Sequence, residues 1–253
     1  MNIIILILGL IMGSFLNVCI YRIPKEESII YPPSYCEECG SDIKSYNLIP
    51  VVSYIFLKGR CKSCKSKISL RYPLVEILTA ILFLEVYNIC GMSFNFIKYT
   101  TFISFIIVIG LIDLDTKYVY SKITISAMII ALIFILIEKF YLGYSIKTYI
   151  YSVILCITII GTIIFITKGM GSGDLDIYII VSLFLGFKIT SMTLFFSFIF
   201  GAFIGIILIT LNKKNRKDVV PFGPFIAMAS IFSILFGDKL LLFYISFITT
   251  KIY

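Results

Sequence analysis

The sequence predicts an all-α polytopic membrane protein with about eight transmembrane helices and a small hydrophilic domain inserted after the first. Three observations predict this class. Of 253 residues, 60% are hydrophobic and 14% charged, and the mean hydropathy is +1.05. A soluble domain carries about 45–50% apolar and about 25% charged residues. A water-soluble α/β enzyme, a disordered chain and a secreted disulfide scaffold are therefore excluded. The apolar residues also come in runs of roughly 20, the length that crosses a bilayer. Finally, polar residues gather in one block, 22–73, with nine basic and five acidic side chains and four of the seven cysteines. Histidine is absent, which removes Ser-His-Asp and Cys-His catalysis and His-ligated metal sites. Acid–base chemistry must come from Asp, Glu, Lys, Tyr or Cys.

The spans follow in order. Asn2–Tyr21 has no basic lead-in and no small-residue cleavage site, so it reads as an anchor rather than a removed signal. Next come Leu74–Gly91, Phe96–Ile112, Ile123–Leu142, Thr148–Thr167, the short Ile177–Phe187, and Thr190–Leu211. The last is Phe222–Phe236, with a turn and a further apolar run at Leu240–Thr249. Gly9-x3-Gly13 and Gly201-x3-Gly205 read as places where helices approach closely. Glu76 and Glu85 fall in the second span, Glu76 near the interface and within reach of Arg71. The expected organisation is a first membrane helix over 1–21, a hydrophilic domain over 22–73 and a membrane-embedded domain over 74–253.

The net charge of +8 is read as basic loops held on one membrane face, not as a nucleic-acid surface. On an alternating path, loops 22–73, 113–122, 168–176 and 212–221 share a side and hold 16 Lys and Arg. The opposite turns hold 4, at Lys98, Lys139, Lys147 and Lys188. The positive-inside rule places the first set in the cytoplasm.

Cys36-x2-Cys39 and Cys61-x2-Cys64 are paired motifs whose spacing suits a tetrahedral zinc site made of four thiolates. Two disulfides or spectator thiols are the alternatives, and a reducing cytoplasm disfavours disulfides. A domain of this size has little core, and a structural Zn²⁺ would staple it. Two aspartate clusters lie at the same predicted face: Asp113 with Asp115, and Asp174 with Asp176. Two facing carboxylates share a proton, activate water and protonate a leaving amine, without histidine or metal. Gly169, Gly171 and Gly173 would let another chain approach beside Asp174. The bland alternative is that these aspartates only end helices at the interface.

These residues resemble the type IV prepilin peptidases, membrane aspartic proteases of the GxGD type, along the whole chain. The resemblance is carried by six segments in order. They are GLIMGSFLNVCIYRIP at Gly9–Pro24, the paired CxxC motifs, the segment Asn47–Ala80, IDLD at Ile112–Asp115, GMGSGD at Gly169–Asp174 and PFGPFIAMAS at Pro221–Ser230. It implies that Asp113 and Asp174 are the catalytic pair, with Asp115, Gly171 and Gly173 in support and Cys36, Cys39, Cys61 and Cys64 on zinc. It further implies a multi-pass enzyme of the bacterial cytoplasmic (inner) membrane, in contact with lipid. Such an enzyme cuts the short basic leader of prepilins or pseudopilins after glycine on the cytoplasmic side. It then methylates the new N-terminus with S-adenosylmethionine. By the same resemblance Gly59 and Arg60 are linked to methylation; the alternative is that they shape the second cysteine loop. The sequence departs from the family at Val119-Tyr120-Ser121, where Leu-Pro-Asp is usual, and at Asp176, where Lys is usual. Rival readings are a peptidase without methyl transfer, a transporter using intramembrane carboxylates, and a structural assembly factor with a degenerate site.

Overall fold

The computed structural model describes residues 1–167, 169–211 and 220–252, without the side chains of Ser45 and residues 247–252. Lys168 and the basic stretch 212–219, both used in the charge count, lie outside the described residues. The described chain is helical: α1 (Asn2–Arg22), a short α2 (Val52–Phe56), α3 (Arg71–Cys90), α4 (Phe94–Thr116), α5 (Ser121–Tyr141), α6 (Lys147–Thr167), α7 (Ser172–Thr210) and α8 (Gly223–Ile252). Seven of these are long and apolar enough to cross a membrane. Among the described residues the only β pairing is two isolated bridges, Tyr35 with Asp42 and Arg60 with Lys67. The chain divides into two compact units, Met1–Val108 and Ile109–Tyr253, with the boundary inside α4.

In the first unit, α1 and α3 run antiparallel at close range. A Cβ on Gly9 would lie 2.5 Å from the Ala80 Cα, and one on Gly13 would lie 2.6 Å from the Glu76 Cα. One turn further on, the Asn17 side-chain amide donates to the Tyr72 carbonyl at 3.0 Å. The pairs 9–80, 13–76 and 17–72 hold one register, so the first glycine pair is indeed a helix contact. Backbones this close need glycine, because any side chain would hold the helices apart.

The second unit is organised by α7, which is packed against α5, α6 and α8. Ile177, Tyr178, Ile180, Val181 and Phe184 on α7 are fully buried. Gly186 interrupts the helix with φ 69 and ψ −178. The Tyr178 and Ser197 hydroxyls then meet at 2.6 Å in the interior. On a straight helix, 19 residues would separate those positions by about 28 Å. The chain therefore doubles back at Gly186, and α7 is two antiparallel legs. This reconciles seven continuous helices with about eight crossing segments, because the sixth and seventh spans of the sequence are these two legs. The first leg, residues 172–185, extends about 21 Å, short of a roughly 30 Å hydrocarbon core.

Two local expectations change. The last span has no turn after Phe236: α8 is continuous, and Gly237 sits within it against Met192, whose sulfur a Cβ would meet at 3.1 Å. The second glycine pair is a helix contact at one position only: a Cβ on Gly201 would lie 2.9 Å from the Phe222 ring and 3.5 Å from the Phe225 ring of α8, whereas Gly205 faces open space. At the fold-back end of the unit, Lys188 pairs with Asp238 at 2.6 Å, an exposed ion pair of the kind that contributes about 0–1 kcal/mol. Gly186 there lies 3.5 Å (as a Cβ would) from the Tyr149 ring, and the Tyr149 hydroxyl donates to the buried Glu138 carboxylate.

Gly186→Val should lower the thermal midpoint of detergent-purified protein, because that backbone region is open essentially to glycine alone and strain there costs about 1–3 kcal/mol. Gly205→Ala should leave the midpoint unchanged or raise it. Equal effects of the two substitutions would contradict the fold-back.

Candidate active site

Three chain segments meet at the other end of the second unit: the last turn of α4, the first turn of α7 and the first turn of α8. Asp113 belongs to α4 and is 4% exposed; Asp174 belongs to α7 and is 9% exposed. Burying a charged carboxylate is costly unless donors meet it. Each receives one from a glycine backbone. The Gly223 N–H donates to Asp113 Oδ2 at 2.8 Å. The Gly171 N–H donates to Asp174 Oδ2 at 3.1 Å. Both glycines stand at the start of a helix, where unpaired N–H groups and the helix dipole favour negative charge. The two carboxylates are also near enough to act on each other as charges.

The local sequence explains this placement. Gly171 is the N-cap of α7, and Asp174 is its third helical residue, so the aspartate side chain reaches back to the cap. A Cβ on Gly223 would lie 2.6 Å from Asp113 Oδ2, so no larger residue leaves the carboxylate where it is. A Cβ on Gly173 would lie 2.8 Å from the Val119 side chain. The Val119-Tyr120-Ser121 departure thus forms the loop that closes onto the glycine segment. Asp115 is exposed and stands about 200° around α4 from Asp113, so it does not share that carboxylate's face. Asp176 is half-buried on α7. Gly223 was not singled out from the sequence, although its signal was present in the PFGP segment.

The four cysteines of the first unit converge as well. Their sulfurs all lie within 4.8 Å of one another, and Cys36 Sγ and Cys64 Sγ are 3.8 Å apart. A tetrahedron with metal–sulfur bonds of about 2.3 Å has edges of about 3.8 Å. A disulfide needs roughly 2.05 Å, and all seven cysteines are free. The four can therefore hold one metal ion.

The two loops are copies of one turn. The Cys36 N–H bonds the Ser41 carbonyl and the Cys61 N–H bonds the Ser66 carbonyl, each at 2.9 Å. The Gly40 and Lys65 N–H groups return to the Cys36 and Cys61 carbonyls. Positive φ is needed at that return, and Gly40 takes 67 and Lys65 takes 63. Backbone N–H groups of Cys39 and Glu38, the former the larger influence, bring the Cys36 thiol down to about 6. A thiolate at neutral pH is what a metal ligand requires.

Gly59 and Arg60 lead into the second loop. Gly59 is buried with φ +64, and a Cβ there would strike the Tyr54 hydroxyl at 2.7 Å. Arg60 is exposed and takes part in the bridge to Lys67. The Glu76 carboxylate accepts the Val51 N–H at 2.7 Å, a partner that the sequence did not suggest.

Comparison with known proteins agrees with the sequence motifs. The description Bacterial Peptidase A24 N-terminal domain matches residues 7–90, and Type IV leader peptidase family matches residues 100–206. Over 248 residues the chain is 33% identical to the prepilin leader peptidase/N-methyltransferase of Bacillus subtilis (strain 168), covering 96% of this chain and 97% of that protein. It is 28% identical to the protein so named from Pseudomonas putida, covering 92% and 90%. It is also 28% identical to that of Legionella pneumophila, covering 98% and 95%. No solved structure matches the chain. The chain belongs to the type IV leader peptidase family.

Chelator-treated, denatured but unreduced protein should titrate seven thiols. A count of five or three would mean that the paired cysteines are joined as disulfides and would remove the metal site.

Proposed function

We propose that this protein is a membrane aspartic endopeptidase that removes the short basic leader of type IV prepilins or pseudopilins after glycine, on the cytoplasmic face, and then N-methylates the new terminus. Asp113 and Asp174 are its catalytic pair. The observation that carries this reading is the convergence of two buried carboxylates at one end of a helical unit, each held by the first amide of a helix or its cap. Held through Oδ2, each aspartate keeps its other oxygen for a water or a substrate carbonyl. One carboxyl is protonated and the other ionised; the ionised one takes a proton from water, and the protonated one polarises the carbonyl and returns a proton to the leaving amine.

A pilin-like substrate reaches this site as a helix, whose carbonyls are already hydrogen-bonded. It must unwind locally before water can attack. Glycine at the cut favours the helix by about 1 kcal/mol less than alanine, which lowers the cost of unwinding. Gly171, where a Cβ would meet nothing closer than 3.9 Å, leaves room for an extended strand beside Asp174, while Gly173 lets Val119 close against the same segment. The excess of basic residues in loops on this side supports a cytoplasmic site.

Residues 22–73 work in this reading as a zinc-stapled domain and residues 74–253 as the peptidase. Cys36, Cys39, Cys61 and Cys64 would hold structural Zn²⁺ with every position filled by sulfur, so the metal supplies rigidity and no open site for catalysis. S-adenosylmethionine supplies the methyl group.

Asp113→Asn and Asp174→Asn should each lower cleavage of a prepilin peptide by about 10²–10⁴-fold, the usual worth of a general acid or base, with zinc content unchanged. Near-normal cleavage by either would remove that residue from the pair. Gly223→Ala should cost about 100-fold by displacing the Asp113 carboxylate. Purified protein should carry one zinc per chain, lost in Cys36→Ser/Cys64→Ser. Zinc retained by that double variant would sink the assignment.

A further inference from the structure

The first unit encloses a cavity of about 550 Å3 between α1, the start of α3 and the two cysteine loops. Small-molecule sites commonly measure about 300–1,000 Å3. Its lining combines one buried carboxylate and several aromatic rings with the buried Arg22, whose guanidinium is already bonded to the Ser28 and Pro33 carbonyls, and with charged residues of both signs at the rim. Glu76, 8% exposed, lines it. Its Oε2 is fixed by the Val51 N–H, and Val51 has φ 61, a conformation that is strained for a β-branched residue. Such strain persists where the surroundings enforce it and marks functional positions. Tyr21, Tyr35, Tyr46, Tyr54 and Tyr72 also line the cavity. Tyr54 is locked from behind, with its hydroxyl donating to the Ile68 carbonyl at 3.1 Å and Gly59 against its ring.

We propose that this cavity is the S-adenosylmethionine site, with Glu76 as the anion facing the donor's positive charge and Tyr54 as a wall positioned by Gly59. The proposal rests on the methyl-transfer half of the proposed function. The donor carries a sulfonium and an ammonium against one carboxylate, together with an adenine ring. Glu76 is met by neutral donors, the Val51 N–H and the Ser14 hydroxyl, and a buried carboxylate so held is further stabilised by a cation. Tyrosine faces attract cations and stack on flat rings. When the substrate amine takes the methyl group, the carbon–sulfur bond breaks and its electron pair stays on sulfur. The amine releases a proton to solvent. The spent cofactor has lost its sulfonium charge, so Glu76 holds the donor more strongly than the product. Neither Gly59 nor Arg60 lines the cavity. Gly59 acts through Tyr54, since any side chain there would drive the ring out of place.

The test is equilibrium dialysis of the full-length, zinc-loaded protein in detergent against S-adenosylmethionine and, separately, S-adenosylhomocysteine. The intact protein should prefer the methylated form. Glu76→Gln, whose carbonyl can still accept the Val51 N–H, should weaken that form by roughly tenfold or more, the worth of a charged hydrogen bond. It should leave the product's affinity nearly unchanged. Glu76→Asp should restore much of the preference, and Gly59→Ala should weaken both ligands together. Equal weakening of both ligands by Glu76→Gln, or no weakening, would overturn the site while leaving the methyl-transfer reading standing. If the intact protein binds neither ligand, both the site and that reading fail, whatever the outcome for leader cleavage.

Discussion

The bond between the Tyr178 and Ser197 hydroxyls forms only because α7 reverses at Gly186, and the site at the far end depends on that reversal. The first leg of α7 leaves the end that carries Asp174, and the second returns to it. Only then does α8 begin beside α4, where the Gly223 amide can reach Asp113. Had α7 run straight, its last residue would lie about 54 Å from Asp174 by helix length alone. The strained glycine and the bond to Asp113 are therefore two parts of one arrangement.

At that end the competing terms are the cost of burying carboxylates and the donors that offset it. An unpaired buried charge costs several kcal/mol. Among the described residues each aspartate receives one amide, from a glycine at a helix start, and each has the other aspartate nearby. One donor apiece steadies the side chains without satisfying them. That is suited to a pair that must pass protons, whereas a purely structural carboxylate would be more fully bonded. The glycines serve the same end: Gly223 cannot grow without meeting Asp113, nor Gly173 without meeting Val119.

Much of this was legible in the sequence. Hydropathy and the wide gaps between charges located the helices, and the paired CxxC spacing located the four sulfurs that the structure brings together. The two aspartate motifs were legible as clusters, and the family resemblance pointed to Asp113 within IDLD; what the structure adds is burial, with Asp113 inside and Asp115 exposed. Long-range backbone bonds were not legible. Nothing local in PFGP states that Gly223 meets a carboxylate 110 residues away, and nothing near Val51 announces a bond to Glu76. The reversal at Gly186 was half visible: the sequence divided the segment into two spans, but the fold-back that makes them antiparallel is a tertiary feature. The sequence suggested a turn after Phe236, before the apolar run at Leu240–Thr249, but α8 continues through Gly237, which packs against Met192.

The central claim is that Asp113 and Asp174 act as one unit. The most direct measurement is the residual rate of prepilin cleavage by Asp113→Asn, by Asp174→Asn and by the double variant, at saturating substrate. Groups that act together are strongly non-additive, so removing the second costs little once the first is gone. The account predicts a double variant about as slow as either single one. Losses that multiply would show two independent contributions and would contradict a shared catalytic pair.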